Sequence, residues 1–202
     1  MNKTGFTLVE ILVTLFIVTF IGIATSQFAR NVIIYNTAGQ DSLNAQLEGR
    51  KVLKVMVAEL RSASVSALGS YPIDTSGTST LIFFSDLNGD GLSERIRYYT
   101  DPVNRTLKKG VVIPSGNPVT YNLGGETVST LVTSIANGTS TDMFNYYDSN
   151  YAGTTTPLTF PPDTSRVRLV KITVLIDEDP NRLPNAINIT SEVGFRNLKD
   201  NL

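Results

Sequence analysis

A single carboxylate, Glu10, stands at the head of a stretch that carries no other ionisable side chain: every residue from Ile11 to Ala29 is uncharged. At the helical rise that run is about 29 Å long, close to the hydrocarbon thickness of a bilayer. Lys3 precedes it and Arg30 closes it. No proline occurs before Pro72, so nothing in residues 6–68 forbids one continuous helix of about 95 Å. A chain built this way is committed to an apolar helical anchor at one end. Any globular core must come from the residues beyond that anchor. Within the anchor, an ionised group near the end of a membrane span is costly and is therefore a functional suspect.

The residues ahead of the span sharpen that suspicion. Gly5-Phe6-Thr7-Leu8-Val9-Glu10 resembles the cleavage and methylation signature of type IV pilins and type II secretion pseudopilins. The resemblance implies a leader, residues 1–5, cut by a prepilin peptidase between Gly5 and Phe6, with N-methylation of the new terminus at Phe6. It also implies that Glu10 pairs with the N-terminal amine of a neighbouring subunit in a filament. Charge chemistry agrees. A carboxylate in hydrocarbon needs a partner, Lys3 is lost with the leader, and cleavage creates a free amine. The plainer alternatives are solvation of Glu10 at the headgroup level and an ordinary secretory signal. Such a signal would have a longer basic region, a shorter apolar core and a small-residue cleavage site on the far side.

Composition narrows the rest. The 202-residue chain has a net charge of −1, which gives no electrostatic case for nucleic-acid contact. It contains no cysteine and no histidine. The usual nucleophile–base pairs and transition-metal sites therefore cannot be assembled, and no phosphate-binding glycine loop or nucleophile elbow is present. The expectation is a protein that is not an enzyme and requires no cofactor. Lys3 ahead of the span favours a cytoplasmic N-terminus, by a small bias. The resemblance implies the inner (cytoplasmic) membrane, a single pass, and a globular domain in the periplasm or outside the cell, with residence in a filament after assembly.

The organisation is read from texture. Residues 6–29 form the transmembrane half of a helix and 30–68 its periplasmic half. Gly22, Gly39 and Gly49 each weaken it, and the alternative is two helices broken near Gly39. Leu53, Met56, Val57 and Leu60 share one face, which should dock on a globular domain, whereas Leu43 and Leu47 fall off that face. Residues 69–202 read as a β-rich domain of short apolar runs between turn residues. Strands are expected at 80–85, 94–100, 107–113, 127–137, 142–148, 166–177 and 186–196, with polar loops at 114–118, 149–162 and 177–184. The fold class is α+β: a long N-terminal helix, its second half packed on an antiparallel sheet.

Later segments extend the resemblance. Glu59-Leu60-Arg61, Ile96-Arg97-Tyr98-Tyr99, Met143 to Asp148 and Phe195-Arg196-Asn197-Leu198 are similar to segments of larger minor pilins and pseudopilins. The likeness is to the J-type minor pseudopilin of type II secretion and the related W-type minor pilin. It implies a subunit near the filament tip, with other pilin or pseudopilin subunits, the prepilin peptidase and an inner-membrane assembly platform as partners. The alternatives are a minor subunit of a surface pilus and a membrane-anchored substrate-binding module.

One motif stands outside that likeness. Asp86, Asn88, Asp90 and Glu94 place oxygen ligands at alternate positions around two glycines, like the start of a calcium loop. The twelfth position, a bidentate glutamate in an EF-hand, is Arg97. The plainer reading is a hairpin turn, because Asn88-Gly89 and Asp90-Gly91 both suit positive φ. The two readings are compatible.

Overall fold

The structure, a computed structural model, describes residues 5, 7–138, 140–182 and 184–195. Phe6, Arg196, Asn197 and Leu198 lie outside the described residues. The chain divides into two compact units, Met1–Asp41 and Ser42–Leu202. The boundary falls inside a single helix.

That helix, α1, spans Leu8–Arg61, 54 residues or about 81 Å. It runs through Gly39 without a break, so two helices are not formed. In the first unit α1 is apolar almost throughout, and its large side chains are exposed, from Leu8 and Phe16 to Phe28 and Tyr35. Thr14, Thr19, Thr25 and Thr37 each donate a hydroxyl hydrogen bond to a carbonyl of the preceding turn, so their polar groups are satisfied within the helix.

In the second unit, α1 and two antiparallel sheets share one core. The strands are β1 (Ile73–Ser76), β2 (Thr80–Ser85), β3 (Glu94–Asp101), β4 (Thr106–Val112), β5 (Thr127–Val132), β6 (Phe144–Tyr147), β7 (Leu169–Ile176) and β8 (Ile187–Gly194). The first five form a sheet in chain order, and β6-β7-β8 form the other. From α1, the side chains of Met56 and Leu60 are fully buried and Ala45, Val52 and Leu53 nearly so, among Phe83, Tyr98, Tyr146 and Ile172. Each large side chain buried in this way stabilises the fold by about 1.5–3 kcal/mol. Leu43 and Leu47 are exposed, as their position off the Leu53 face dictates.

Gly49 has a role that its helix-weakening composition hides. It is buried, and a Cβ there would lie 2.3 Å from Ile189 Cδ1 and 3.2 Å from Ile176 Cδ1. The glycine lets α1 approach the second sheet. A polar cluster ties α1 to the first sheet. Glu59 accepts from Tyr98 Oη and from Lys109 Nζ, both at 2.6 Å. Burial, reinforced by the Glu59 carboxylate, pushes the Tyr98 hydroxyl far above its ordinary pKa, so it remains a donor.

Two expectations need correction. The absence of proline predicts a helix as far as residue 68, but α1 ends at Arg61, because the next residues find better partners outside it. Ser64 N–H donates to the Phe84 carbonyl at 2.9 Å, Ala63 bridges Ser85, and Ser62 Oγ meets Ser85 Oγ at 2.8 Å. The serines of this segment bond readily outside a helix, and the end of β2 captures them. The expected strand over 127–137 is divided. Its first part, β5, pairs with β4. At Ser134 (φ 60°) the chain turns, and Ile135 then bridges Ile176 of β7. The Asn137 side chain completes this crossing, donating to Thr173 O and accepting from Leu175 N–H, each at 2.8 Å. Strand β1 is absent from the strands that the sequence pattern predicts. Its four residues are polar at the centre and carry no alternation to read.

The tyrosines divide less evenly than strand alternation implies. Tyr98 is buried and Tyr99 half-exposed, but Tyr146 and Tyr147 are both buried. The 149–162 loop covers them: Leu158 N–H donates to Tyr146 O at 2.8 Å, and the Tyr151 ring centre lies 4.4 Å from that of Tyr147. On β3, Arg95 and Arg97 both have partners. Arg95 meets Asp74 at 3.2 Å. Arg97 grips Glu126 through two nitrogens, and its guanidinium sits 4.0 Å from the Tyr99 ring centre.

Candidate functional site

At the N-terminal end, local chemistry sets where α1 starts. Glu10 N–H donates to Thr7 Oγ1 at 3.3 Å, and Thr7 N–H donates back to Glu10 Oε2 at 3.4 Å. Ile11 N–H reaches Thr7 O at 3.2 Å. This reciprocal arrangement is a capping box, which satisfies two of the backbone donors that a helix leaves unpaired at its first turn. The spelling Thr7-x-x-Glu10 ahead of an apolar run is legible in the sequence, yet the reading of Glu10 as a pairing charge passes over this capping function. Glu10 is exposed, as is Gly5, and a Cβ built on Gly5 would meet nothing within 4 Å. The helix begins at Leu8, and Gly5 precedes it. No other helix among the described residues is long and apolar enough to cross a membrane.

The acidic turn joins β2 to β3. Asp86 accepts from Gly89 N–H at 2.7 Å and Gly91 N–H at 2.9 Å. Asn88 Oδ1 accepts from Asp90 N–H, and Asp90 Oδ1 from Leu92 N–H. Gly89 (φ 77°) and Gly91 (φ 87°) take the left-handed backbone that lets the carboxylates fold inward. Glu94 is buried, at 2% exposure, and accepts from Leu87 N–H at 2.7 Å. One carboxylate oxygen each from Asp86, Asp90 and Glu94 lie within 4.8 Å of one another. The turn is fastened to the segment after α1 through Ser93, whose Oγ meets Ser64 Oγ at 2.7 Å and whose carbonyl accepts from Tyr121 Oη at 2.6 Å.

The sequence-predicted ligands are thus brought together, with two qualifications of chemistry. Asn88 spends its amide inside the turn, its Nδ2 donating to Asp90 Oδ2 at 2.9 Å. Arg97 points into the Glu126 pair and adds nothing to the turn. The hairpin is complete through its own hydrogen bonds. Each carboxylate oxygen still has a second lone pair, so backbone bonding does not bar a cation.

A long apolar helix leading into antiparallel sheets is an α+β build typical of pilins. Residues 1–26 match the prokaryotic N-terminal methylation motif, and that motif marks the chain as a type IV pilin-like protein. It implies processing by a prepilin peptidase and assembly with other pilin subunits. No curated protein matches the chain significantly.

Proposed function

We propose that the chain is a minor pseudopilin of type II secretion, placed near the tip of the pseudopilus. The observation that carries the pilin-like part of the reading is the methylation motif, which runs from the N-terminus into a capped, apolar α1. The segments similar to J-type subunits support the finer assignment. In this reading the peptidase cuts between Gly5 and Phe6, and the chain is an inner-membrane protein with its N-terminus in the cytoplasm. Packing of apolar helices draws it into the filament. Its chemistry is assembly and not catalysis. Glu10 has two tasks: it caps its own helix, and it offers its charge to the Phe6 amine of a neighbour. A carboxylate can do both, since each oxygen accepts more than one hydrogen bond.

Intact-mass measurement tests the processing step. The mature chain in cells with active peptidase is expected to begin at Phe6 with one added methyl group, and replacing Gly5 with a bulky residue should leave the precursor uncut. Met1 retained in such cells would refute it.

Asp86, Asp90 and Glu94 fit a calcium ion by charge, convergence and oxygen chemistry. Asn88 would have to turn its carbonyl toward the ion to join them. Bound there, calcium would tie the start of β3 to the end of β2. By ligand linkage, calcium at about 100 times its Kd should add about 2.7 kcal/mol of stability to the full chain in detergent. Asp90→Ala should remove the effect. A melting temperature indifferent to millimolar calcium would leave the plain hairpin.

A further inference from the structure

Sheet edges invite added strands, and proteins usually blunt them. Among the described residues, three of the four edges are blunted. β1 carries an irregularity between Ile73 and Thr75, and the β4–β5 register shifts between Leu107 and Lys108. β6 is four residues long, and the Leu158 N–H already occupies the Tyr146 carbonyl. β8 is different. It runs eight residues in unbroken register with β7, contains neither proline nor lysine, and pairs with no other strand among the described residues.

Beside that edge, within the second unit, lies an open groove of about 590 Å³ between β8 and α1. Its apolar floor includes Leu53, Val57 and Ile189. Its rim is basic, from Arg50, Lys54 and Arg61, and no carboxylate lines it. These three cations recur at spacings that stack them on one side of the helix. All three are exposed, and none joins an ion pair among the described residues. The contrast with the sheets is plain. Arg95, Arg97, Lys108 and Lys109 each have a carboxylate partner. Arg61 is accounted for in part by the negative end of the helix dipole, but Arg50 and Lys54 lie too far from that end.

We infer that the free edge of β8 is a docking site for an extended, acidic segment of another polypeptide. The segment adds to β8 as a strand, which supplies main-chain hydrogen bonds. Strand periodicity turns every second side chain toward α1, where acidic residues meet Arg50, Lys54 and Arg61 while their methylene stems cover Leu53 and Val57. The inference is independent of the filament reading, because it concerns only the second unit and its edge.

The test uses the full chain in neutral-lipid nanodiscs and a blocked, fluorescent decapeptide of alternating valine and glutamate. Saturable binding is expected, with slowed hydrogen exchange at residues 187–194. The same peptide with lysine for glutamate should bind at least tenfold more weakly. Arg50→Glu with Lys54→Glu, both at exposed positions, should weaken the glutamate peptide at least tenfold. N-methylation of alternate peptide amides should abolish binding while the protein stays untouched. No saturation up to about 1 mM peptide would overturn the inference. So would binding indifferent to the charge reversal or to N-methylation. Protection of 187–194 by phosphatidylglycerol nanodiscs without peptide would assign the basic rim to lipid headgroups instead.

Discussion

The two halves of α1 are one helix by hydrogen bonding and two materials by sequence. From Ile11 to Ala29 the side chains are uncharged and mostly apolar on every side of the helix, and the large ones are exposed. From Ser42 to Arg61 the buried ones, Ala45, Val52, Leu53, Met56 and Leu60, share one face, and charged residues together with Leu43 and Leu47 occupy the others. A helix apolar all round is suited to lipid or to other helices, and an amphipathic one is suited to a single core. Backbone continuity therefore says little about which environment a helix was selected for. The distribution of side chains around its axis says much more.

The largest expected difference between the halves is in packing. Met56→Ala should lower the stability of the globular unit by about 2–5 kcal/mol, through lost burial and the cavity left behind. Phe16→Ala, in the first half, should leave that stability within about 0.5 kcal/mol of the parent. Denaturant unfolding of the full chain in detergent, followed by tyrosine fluorescence, measures both. Equal losses would break the distinction.

The glycines give a smaller contrast of opposite sign. Gly39→Ala meets nothing within 4 Å and should gain helix stability by about 0.8–1 kcal/mol. Gly49→Ala gains the same propensity but presses on Ile189 and Ile176, and overpacking of that kind costs about 1–3 kcal/mol. The net result should be a less stable globular unit. Circular dichroism for the first variant and the unfolding midpoint for the second read the two effects. A stabilising Gly49→Ala would show that the isoleucines yield freely.

The smallest effect on stability is expected at Glu10. Glu10→Gln keeps an acceptor for the Thr7 N–H, so the capping box survives and only the charge is lost. Membrane level, leader cleavage and globular stability should all remain unchanged. Crosslinking to neighbouring subunits should fall. Undiminished crosslinking would reject the pairing role and leave Glu10 as a cap.

Much of this was legible in the sequence, for reasons that differ by region. The long apolar helix was readable because an uncharged, proline-free run of that length has few other conformations open to it. Strand β2 was placed at its true ends, since Thr80–Ser85 is a compact apolar run between turn residues. Where long-range partners decide, local pattern failed. Residues 62–68 hold no proline or glycine before Gly69, and what draws their serines out of the helix, the end of β2 at Phe84 and Ser85, is a tertiary fact. Residues 127–137 look like one strand because both parts are β-formers, and only the positive φ at Ser134 reveals the change of sheet. Gly49 looks like a weakness because its reason lies across the core in Ile189. At the candidate site, ligand spacing alone points to the acidic turn, whereas the Thr7 cap, equally plain in the sequence, is masked by the louder message of Glu10.

The crossing at Ser134 has a mechanical meaning. Val132 is paired with Leu107 in one sheet, and three residues later Ile135 is bridged to Ile176 in the other. The two sheets are therefore stitched by the same short length of main chain. Neither can be peeled from the core without dragging on pairs in its neighbour. Under tension, or under attack by a protease, the second unit should behave as one fuse and not two: intact until a single threshold, then lost together.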